Sequence, residues 1–252
     1  SWAPCRPSGP RPVMRDDDGV SKSPATRGRI GRPPVTTRAQ ILAAARTIID
    51  RDGWEKLTVR RLAAELGIGG TTLYHHVRDR EDLLIQLLNE HAERTLPTDL
   101  PTDPRERMVA AAIAIHDSLS AWPWAAEVLT SDGFLGRLGE PAVSMVEAIV
   151  AGAVDCGCTV EQGVDIFRSI WYYTVGEILV RAHSTRGRPD RPRVAVGDTF
   201  FRGVDLSRMP RLAAVGDRWP ALAARDIYAQ GLRAFVNGLL DQATSATPRP
   251  VD

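Results

Sequence analysis

One stretch of the sequence, LTVRRLAAELGIGGTTLYHHVRDREDLL from Leu57 to Leu84, constrains the fold more than any other. Thr58 is placed to cap a helix, because its hydroxyl can accept a backbone N–H of the first turn. The apolar residues of that helix share one face: Leu62, Ala63 and Leu66. Gly67 ends the helix, since glycine readily adopts the left-handed conformation of a sharp turn, and Ile68 packs the turn onto the core. A second helix starts two or three residues later, so the spacing predicts a helix-turn-helix.

The second helix of this motif has an apolar inner side and a polar outer side. Leu73 and Val77 lie four residues apart and face inward. The outer side carries hydrogen-bonding groups of short reach: Thr71, Thr72, Tyr74, His75 and His76. Such a face suits a helix that lies in the major groove of DNA. Helix-turn-helix units also serve as plain packing motifs, so the pattern leaves a purely structural role open.

The same stretch resembles the DNA-binding domain of the tetracycline-repressor (TetR) family of bacterial transcription regulators. The likeness includes the TLY core of the second helix and the charged RDREDLL run that follows it. It implies that Arg60 forks onto a guanine and that Arg80 contacts phosphate. The other positions that it places at DNA are Thr58, Gly70, Thr71, Thr72, Tyr74, His75 and His76. Gly69 and Gly70 depart from relatives that carry longer polar residues there, so the operator sequence is not predicted.

Positive charge is concentrated around the motif. The whole chain has a net charge of +1, whereas residues 27–61 hold nine basic residues against three acidic ones. A basic surplus at this place suits contact with phosphates. Residues 1–35 are rich in Pro, Gly, Ser and Arg and are expected to be disordered in isolation. The end of that tail, with Arg29 and Arg32, resembles arms that enter the DNA minor groove, and a solvated basic linker is an equal alternative.

Helical periodicity predicts an all-α chain in three parts: a basic tail (1–35), a helix-turn-helix domain with a connecting helix (36–95), and an effector-binding and dimerisation domain (96–244). Thr36 or Thr37 caps the first helix, and Asp79 caps the connecting helix, which runs to about Arg94. Further helices are predicted over residues 105–121, 141–155, 160–182 and 225–242, with short helical pieces over 123–138. Residues 184–221 lack steady periodicity and are predicted to form a long loop.

The helices over 160–182 and 225–242 are apolar over more of their circumference than one core face requires. Such a surplus is typical of an oligomer interface. Gly231, Leu232, Gly238 and Leu239 are also similar in spacing to the last helix of TetR-type effector domains. The resemblance implies that two helices from each subunit form a four-helix bundle, and therefore a homodimer.

An effector pocket is implied by the resemblance, and aromatic walls with a few polar groups suit a flat, largely apolar small molecule. The candidate residues are Ala114, Asp117, Ser118, Trp122, Trp124, Phe134, Val146, Ile149, Val150, Val164, Phe167, Arg168 and Trp171. Stripes of this kind are also typical of a plain core. The tetracycline repressors hold a metal-chelated drug through a histidine after the fifth helix. The corresponding stretch AEVLTSDGF has none, so no magnesium-dependent tetracycline site is expected.

Other classes of function are disfavoured by what the sequence lacks. No G-x-S-x-G, Walker loop or H-E-x-x-H motif is present, and the five histidines are scattered, so the chain is not expected to be an enzyme. Cys5, Cys156 and Cys158 fit neither a disulfide framework nor zinc spacing, and no cofactor is predicted. No apolar run reaches the length of about 20 residues that spans a bilayer, so a cytoplasmic protein is expected.

The sequence therefore predicts a ligand-responsive transcriptional repressor. It would bind an inverted-repeat DNA operator as a homodimer and be released by a small apolar or aromatic molecule. The alternative is a DNA-binding regulator without a small-molecule ligand.

Overall fold

The structure is a computed structural model that describes residues 36–130, 133–186, 200–201 and 203–245. Within those ranges all regular elements are helical, which confirms the all-α prediction. The helices are α1 (Arg38–Asp52), α2 (Val59–Leu66), α3 (Gly70–Tyr74), α4 (Arg80–Thr95), α5 (Pro104–Ser120), α6 (Pro123–Leu129), α7 (Glu140–Asp155), α8 (Val160–Arg186), α9 (Pro210–Val215), α10 (Trp219–Ala223) and α11 (Tyr228–Ser245). The predicted basic tail, with Arg29 and Arg32, lies outside the described residues.

The first helix begins at a reciprocal cap. The hydroxyl of Thr37 accepts a hydrogen bond from the Gln40 amide at 3.2 Å, and the Gln40 side chain accepts one from the Thr37 amide at 2.9 Å. These two bonds satisfy backbone donors that a helix start otherwise leaves unpaired. Of the two threonines considered from the sequence, Thr37 is therefore the cap.

The turn of the predicted motif has the expected geometry. Thr58 caps α2 by accepting a hydrogen bond from the Arg61 amide at 3.1 Å. Gly67 lies in the left-handed region (φ 64°, ψ 27°), and the amide of Ile68 donates to the Ala63 carbonyl at 3.1 Å. A side chain at Gly67 would be strained in this conformation. The Thr58 cap and the Gly67 stop are both confirmed.

The second helix of the motif is shorter than its pattern suggested. It ends at Tyr74, and the amides of His76 and Val77 both donate to the Leu73 carbonyl, at 2.9 and 3.1 Å. His75 and His76 therefore follow the helix in a turn. Val77 is buried beyond that turn, so the inward spacing of Leu73 and Val77 holds although the helix does not extend to Val77.

One apolar cluster joins the motif to the helices that follow it. Leu62 of α2 and Leu73 of α3 pack with Leu83, Leu84 and Leu87 of α4. The same cluster continues into α6 through Trp124, Ala125, Ala126 and Val128. A boundary between residues 95 and 96 stays a prediction, because the packing runs across it without a break.

The second cluster is formed by α5, α7, α8 and α11. Glycine permits the close approach of α7 to α5, because a Cβ on Gly152 would lie 2.9 Å from the carbonyl oxygen of Pro104. Leu232, Val236 and Leu240 of α11 are fully buried in this cluster. The second apolar cluster is thus the core of a helical bundle made by α5, α7, α8 and α11.

The segment predicted as a loop contains two short helices among its described residues. Both α9 and α10 have a proline in their first turn, Pro210 and Pro220, where the missing backbone N–H costs nothing. Because each helix is only five or six residues long, neither produces a steady helical periodicity in the sequence. The last helix begins at Tyr228 instead of residue 225, and the carboxylate of Asp226 accepts a hydrogen bond from the Tyr228 amide at 3.1 Å.

Candidate DNA-binding face and effector cavity

The helix-turn-helix presents a polar face to solvent. Leu73 is fully buried, whereas its neighbour Tyr74 is 59% exposed. The other predicted contact residues of this face are also exposed: Thr58, Arg60, Gly70, Thr71, Thr72, His75 and His76. A Cβ at Gly69 or Gly70 would meet nothing within 4 Å. The start of α3 is therefore an open surface on which a broad partner can approach the backbone closely.

Much of the basic charge near the motif is neutralised within the protein. Arg61 contacts the Asp52 carboxylate at 2.6 Å, and Arg51 contacts Asp52 at 2.7 Å and Glu65 at 3.1 Å. The hydrogen bond from Arg51 holds the pKa of Asp52 below its ordinary value. Arg60 and Lys56 have no ion pair among the residues that the structure describes. The sequence count overstated the charge available to phosphate, and Arg60 is the arginine of α2 that remains available.

Arg80 has a structural contact instead of an open guanidinium. Its Nε donates to the Leu57 carbonyl at 2.9 Å and its Nη2 to the Trp54 carbonyl at 3.0 Å. The guanidinium also lies 4.8 Å from the centre of the Trp54 ring. These contacts brace the segment before α2 against the start of α4. These contacts use two of the five N–H donors of the guanidinium, and the phosphate contact of Arg80 stays a prediction.

A cavity of about 230 Å³ lies between the helices of the second half. Its walls come from α4 to α8 and the segment between α6 and α7: Leu88, His91, Ala92, Leu96, Ile115, Ser118, Leu119, Leu129, Leu135, Leu138, Ala142, Val146, Phe167 and Trp171. Nearly all of these side chains are apolar, and none is an acid, an arginine or a lysine. The cavity can therefore hold a neutral, mostly apolar molecule.

Four of the predicted ligand-binding residues line this cavity: Ser118, Val146, Phe167 and Trp171. Ala114 and Asp117 line a different, open depression beside Arg233 and Glu106. Trp122 stacks on His91, with ring centres 4.0 Å apart, so it lies behind the cavity wall. Trp124, Phe134 and Ile149 are buried in the two apolar clusters.

Three other predicted residues point away from the cavity. Val150 packs against Gly163, where a Cβ would lie 3.1 Å from its Cγ1. Val164 is 44% exposed, and Arg168 is exposed and donates to the hydroxyl of Tyr172 at 2.9 Å. The stripe chosen on α8 mixed two sides of that helix, because spacings of three and four residues spread over a wide arc.

The connecting helix supplies three of the wall residues that sequence reasoning missed. Leu88, His91 and Ala92 of α4 face the cavity, although α4 begins beside the helix-turn-helix. A signal was present: the apolar face of α4 continues past Leu87, beyond the length needed to cover α1 to α3. His91, one of the five histidines scattered along the sequence, is 6% exposed, and its Nε2 lies 2.9 Å from the Ser118 carbonyl oxygen.

His116, on α5, is partly buried and well bonded. Its Nε2 lies 2.8 Å from a Glu177 oxygen and its Nδ1 lies 2.9 Å from an Asp117 oxygen. It does not line the cavity. Across the described ranges, no cluster of three or more potential metal-binding side chains occurs, and no helix is long and apolar enough to cross a bilayer.

The arrangement defines a helix-turn-helix protein whose motif packs, through α4 and α6, onto a helical bundle. Residues 41–87 match the family described as "Bacterial regulatory proteins, tetR family", so the helix-turn-helix region carries the domain of this family. It is 30% identical to the tetracycline repressor protein class E of Escherichia coli over 148 residues, which are 55% of the chain and 65% of that protein. The match thus spans slightly less than two thirds of that relative.

A longer match comes from the HTH-type transcriptional repressor DrrR1 of Streptomyces coeruleorubidus. It is 27% identical over 223 residues, which cover 83% of the chain and 79% of DrrR1. Among solved structures, BioQ with its double-stranded DNA operator has a TM-score of 0.56 at 22% identity, covering 82% of the chain and 99% of BioQ. This likeness shows that the fold extends over both halves of the chain.

Proposed function

We propose that this protein is a ligand-responsive transcriptional repressor that binds an operator as a homodimer. One observation carries the proposal: α4 packs into the helix-turn-helix with its first turns and lines the cavity with its last turns. A molecule in the cavity therefore touches the same helix that positions the DNA-binding motif. The curated relatives named above are repressors, which supports regulation through DNA.

The DNA contacts of the proposal come from the exposed face of α2 and α3. Arg60 has the reach and the planar fork to pair with a guanine, and Thr71, Thr72 and Tyr74 are exposed on α3. One such helix reads few base pairs, so specific affinity needs two half-sites about one helical turn apart. We infer an inverted-repeat operator from this requirement.

The outer side of α8 supports the homodimer. Val164, Tyr172 and Val180 are 44%, 61% and 68% exposed, and each lies a multiple of four residues from the next. Arg168 and Gly176 fill the positions between them. Such a ridge can interdigitate with the same ridge of a second copy, as i±4 rows do in helix packing. Burying this apolar surface would stabilise the dimer.

The mechanism of release follows from the position of α4. A ligand shifts an equilibrium only by its different affinities for two conformations. We infer that the effector fits the cavity better when α4 has tilted, which changes the separation of the two α3 helices. Because both must enter successive major grooves about 34 to 36 Å apart, a small tilt weakens binding of one half-site while the dimer remains intact.

The test starts from the operator itself. A site selected from random-sequence DNA by the purified protein should be an inverted repeat, and its affinity should fall steeply with salt because phosphates are contacted. A panel of neutral aromatic compounds should then include some that weaken the complex. A site with no symmetry would contradict the dimeric mode, and a complex that no compound weakens would favour a regulator without a small-molecule ligand.

The dimer has its own test in the outer ridge of α8. Tyr172→Asp should convert the dimer to a monomer in sedimentation experiments, because it places a charge in the proposed interface. Val143→Asp is the matched control, since Val143 is also an exposed apolar residue (42%) but lies on α7. A dimer that survives Tyr172→Asp would place the interface elsewhere.

A further inference from the structure

The polar groups at the cavity are few, and their hydrogen bonds can be assigned. The hydroxyl of Thr95 donates to the His91 carbonyl at 2.8 Å, so its hydrogen is used. The Ser118 hydroxyl, 2.7 Å from Thr95 Oγ1, must then donate to Thr95. Both hydroxyl hydrogens are therefore engaged beside the cavity, and the groups that remain there can only accept.

His91 is the second polar group of the wall. Its Nε2 faces a carbonyl oxygen, Ser118 O, at 2.9 Å, so Nε2 must carry the hydrogen. Burial lowers the pKa of His91, which keeps the imidazole neutral near pH 7. The other nitrogen, Nδ1, is then a hydrogen-bond acceptor. It is shielded from water and has no donor among the residues that the structure describes.

An acceptor that is buried without a donor is unfavourable, because it has given up its hydrogen bond to water. The imidazole is held in place on both sides. It stacks on Trp122 at 4.0 Å between ring centres, and Nε2 is bound to α5 through Ser118. In this conformation Nδ1 is therefore covered and unpaired among the described residues, and a bound molecule can supply the missing donor.

The size of the cavity limits what can bring that donor. An apolar cavity of about 150 Å³ is known to hold benzene. The cavity of about 230 Å³ is half as large again. It suits a molecule of about two fused rings, and its uncharged walls disfavour carboxylates, phosphates and ammonium groups.

We propose that the cavity binds a neutral two-ring aromatic molecule that carries one hydrogen-bond donor, an O–H or N–H group, and that His91 Nδ1 accepts this hydrogen bond. The inference rests on the proposed function and names its class of effector. Since Nδ1 is covered in the ligand-free chain, the bond forms only after the His91 ring or α4 has shifted. A hydrogen bond available in only one conformation is the differential affinity that release of DNA requires.

The experiment compares two probes of nearly equal shape, 2-naphthol and 2-methylnaphthalene, by calorimetric titration of the full-length protein. An apolar cavity without an acceptor favours the methyl compound, because the hydroxyl of naphthol loses its bond to water. The variant His91→Phe keeps a ring to stack on Trp122 and removes Nδ1. The ratio of the two affinities should shift toward 2-methylnaphthalene by about tenfold in this variant.

A second variant separates a lost acceptor from a disturbed fold. His91→Gln can still donate to the Ser118 carbonyl and offers an amide oxygen, so it should restore part of the preference for 2-naphthol. Operator affinity without any probe should stay within about twofold for each variant, and this readout checks that the protein is folded. If His91→Phe does not fold, the ratio in His91→Gln and in wild type still tests the proposal.

The outcomes distinguish this inference from the function on which it rests. An unchanged affinity ratio in both variants overturns the role of Nδ1, although the cavity would remain an effector site. Failure of both probes to bind overturns the stated size and polarity and leaves operator binding untouched. Binding of 2-naphthol that depends on His91 but does not weaken the operator complex supports the inference and contradicts release through α4.

Discussion

The candidate DNA-binding face and the cavity are built in opposite ways. The face takes its side chains from residues 58–76, which are two short helices and one turn. The cavity takes its walls from five helices that span residues 88–171. Within one helix, spacing alone determines which side a residue lies on. Which residues meet across five helices depends on tilts and offsets that no local spacing encodes.

Two adjacent residues of α3 test whether this helix has a buried side and an exposed side. Leu73→Ala should lower the free energy of unfolding by about 2 to 5 kcal/mol, because Leu73 is fully buried. Tyr74→Ala should change it by less than about 0.5 kcal/mol, since Tyr74 is mostly exposed. Urea unfolding measures both.

The same pair of variants also separates folding from recognition. Tyr74→Ala should weaken operator binding while the domain stays folded. Equal stability losses for the two variants would mean that α3 does not divide into an inner and an outer side.

Arg60 tests whether the predicted face reads bases. Arg60→Ala should weaken operator binding by about 1 to 3 kcal/mol and relax the preference at one base pair, if the side chain pairs with a guanine. Affinity is measured on the selected operator and on random-sequence DNA. An equal loss on both would show that Arg60 holds only phosphate.

The matched control for Arg60 is Arg38→Ala. Arg38 is an exposed arginine whose Nε donates to the Gln86 side chain at 2.9 Å. It lies on α1, outside the predicted face, and its loss should leave base preference unchanged. A shift in base preference on removing Arg38 would extend the reading surface to α1.

Trp171 and Arg168, both on α8, are a matched pair of residues for testing the cavity. Trp171→Ala should weaken binding of an aromatic inducer by about tenfold or more, since a large apolar contact is lost, and leave operator affinity nearly unchanged. Arg168→Ala should affect neither, because Arg168 is exposed and bonded to Tyr172. Titration of the operator complex with and without inducer measures the effects. Loss of DNA binding in Trp171→Ala would show that Trp171 serves the core instead.

These pairs also show where prediction from the sequence reached its limit. The cap at Thr58 and the stop at Gly67 follow from local chemistry, and the structure has both. The resemblance implied a phosphate contact for Arg80, and it gave no sign that the carbonyls of Trp54 and Leu57 accept hydrogen bonds from this guanidinium. Such a contact joins residues more than 20 positions apart and leaves no periodic signal.

The residues that line the cavity were still harder to predict from the sequence. Trp171 and Val164 looked equivalent on the α8 stripe, but one lines the cavity and the other is 44% exposed. Only the placement of α4 and α7 against α8 decides between them. The sequence did not predict the wall formed by Leu88, His91 and Ala92, because it indicated only a connecting role for α4, whereas this helix also lines the cavity.

The smallest expected effect is on the pH dependence of the free energy of unfolding. It arises from His91 in the cavity wall. Burial lowers the pKa of His91 in the folded protein below its ordinary value near 6.5. The hydrogen bond to the Ser118 carbonyl and the nearby Glu90 oppose this shift, whereas Arg94 and Arg46 add to it. As pH falls below about 6.5, the unfolded chain binds a proton at His91 before the folded chain does. The free energy of unfolding must therefore decrease as the pH falls, until the folded protein also titrates.

Removing this histidine should make the pH dependence shallower. In His91→Phe, the slope of unfolding free energy between about pH 7 and pH 5 should be smaller than in wild type, whatever the constant cost of the substitution. His183→Phe is the matched control, because His183 is exposed on α8 and lies outside the cavity wall. Urea unfolding at several pH values measures the three slopes. Parallel slopes for wild type and His91→Phe would mean that His91 becomes protonated equally well in the folded protein, so Nδ1 would not be an enclosed acceptor.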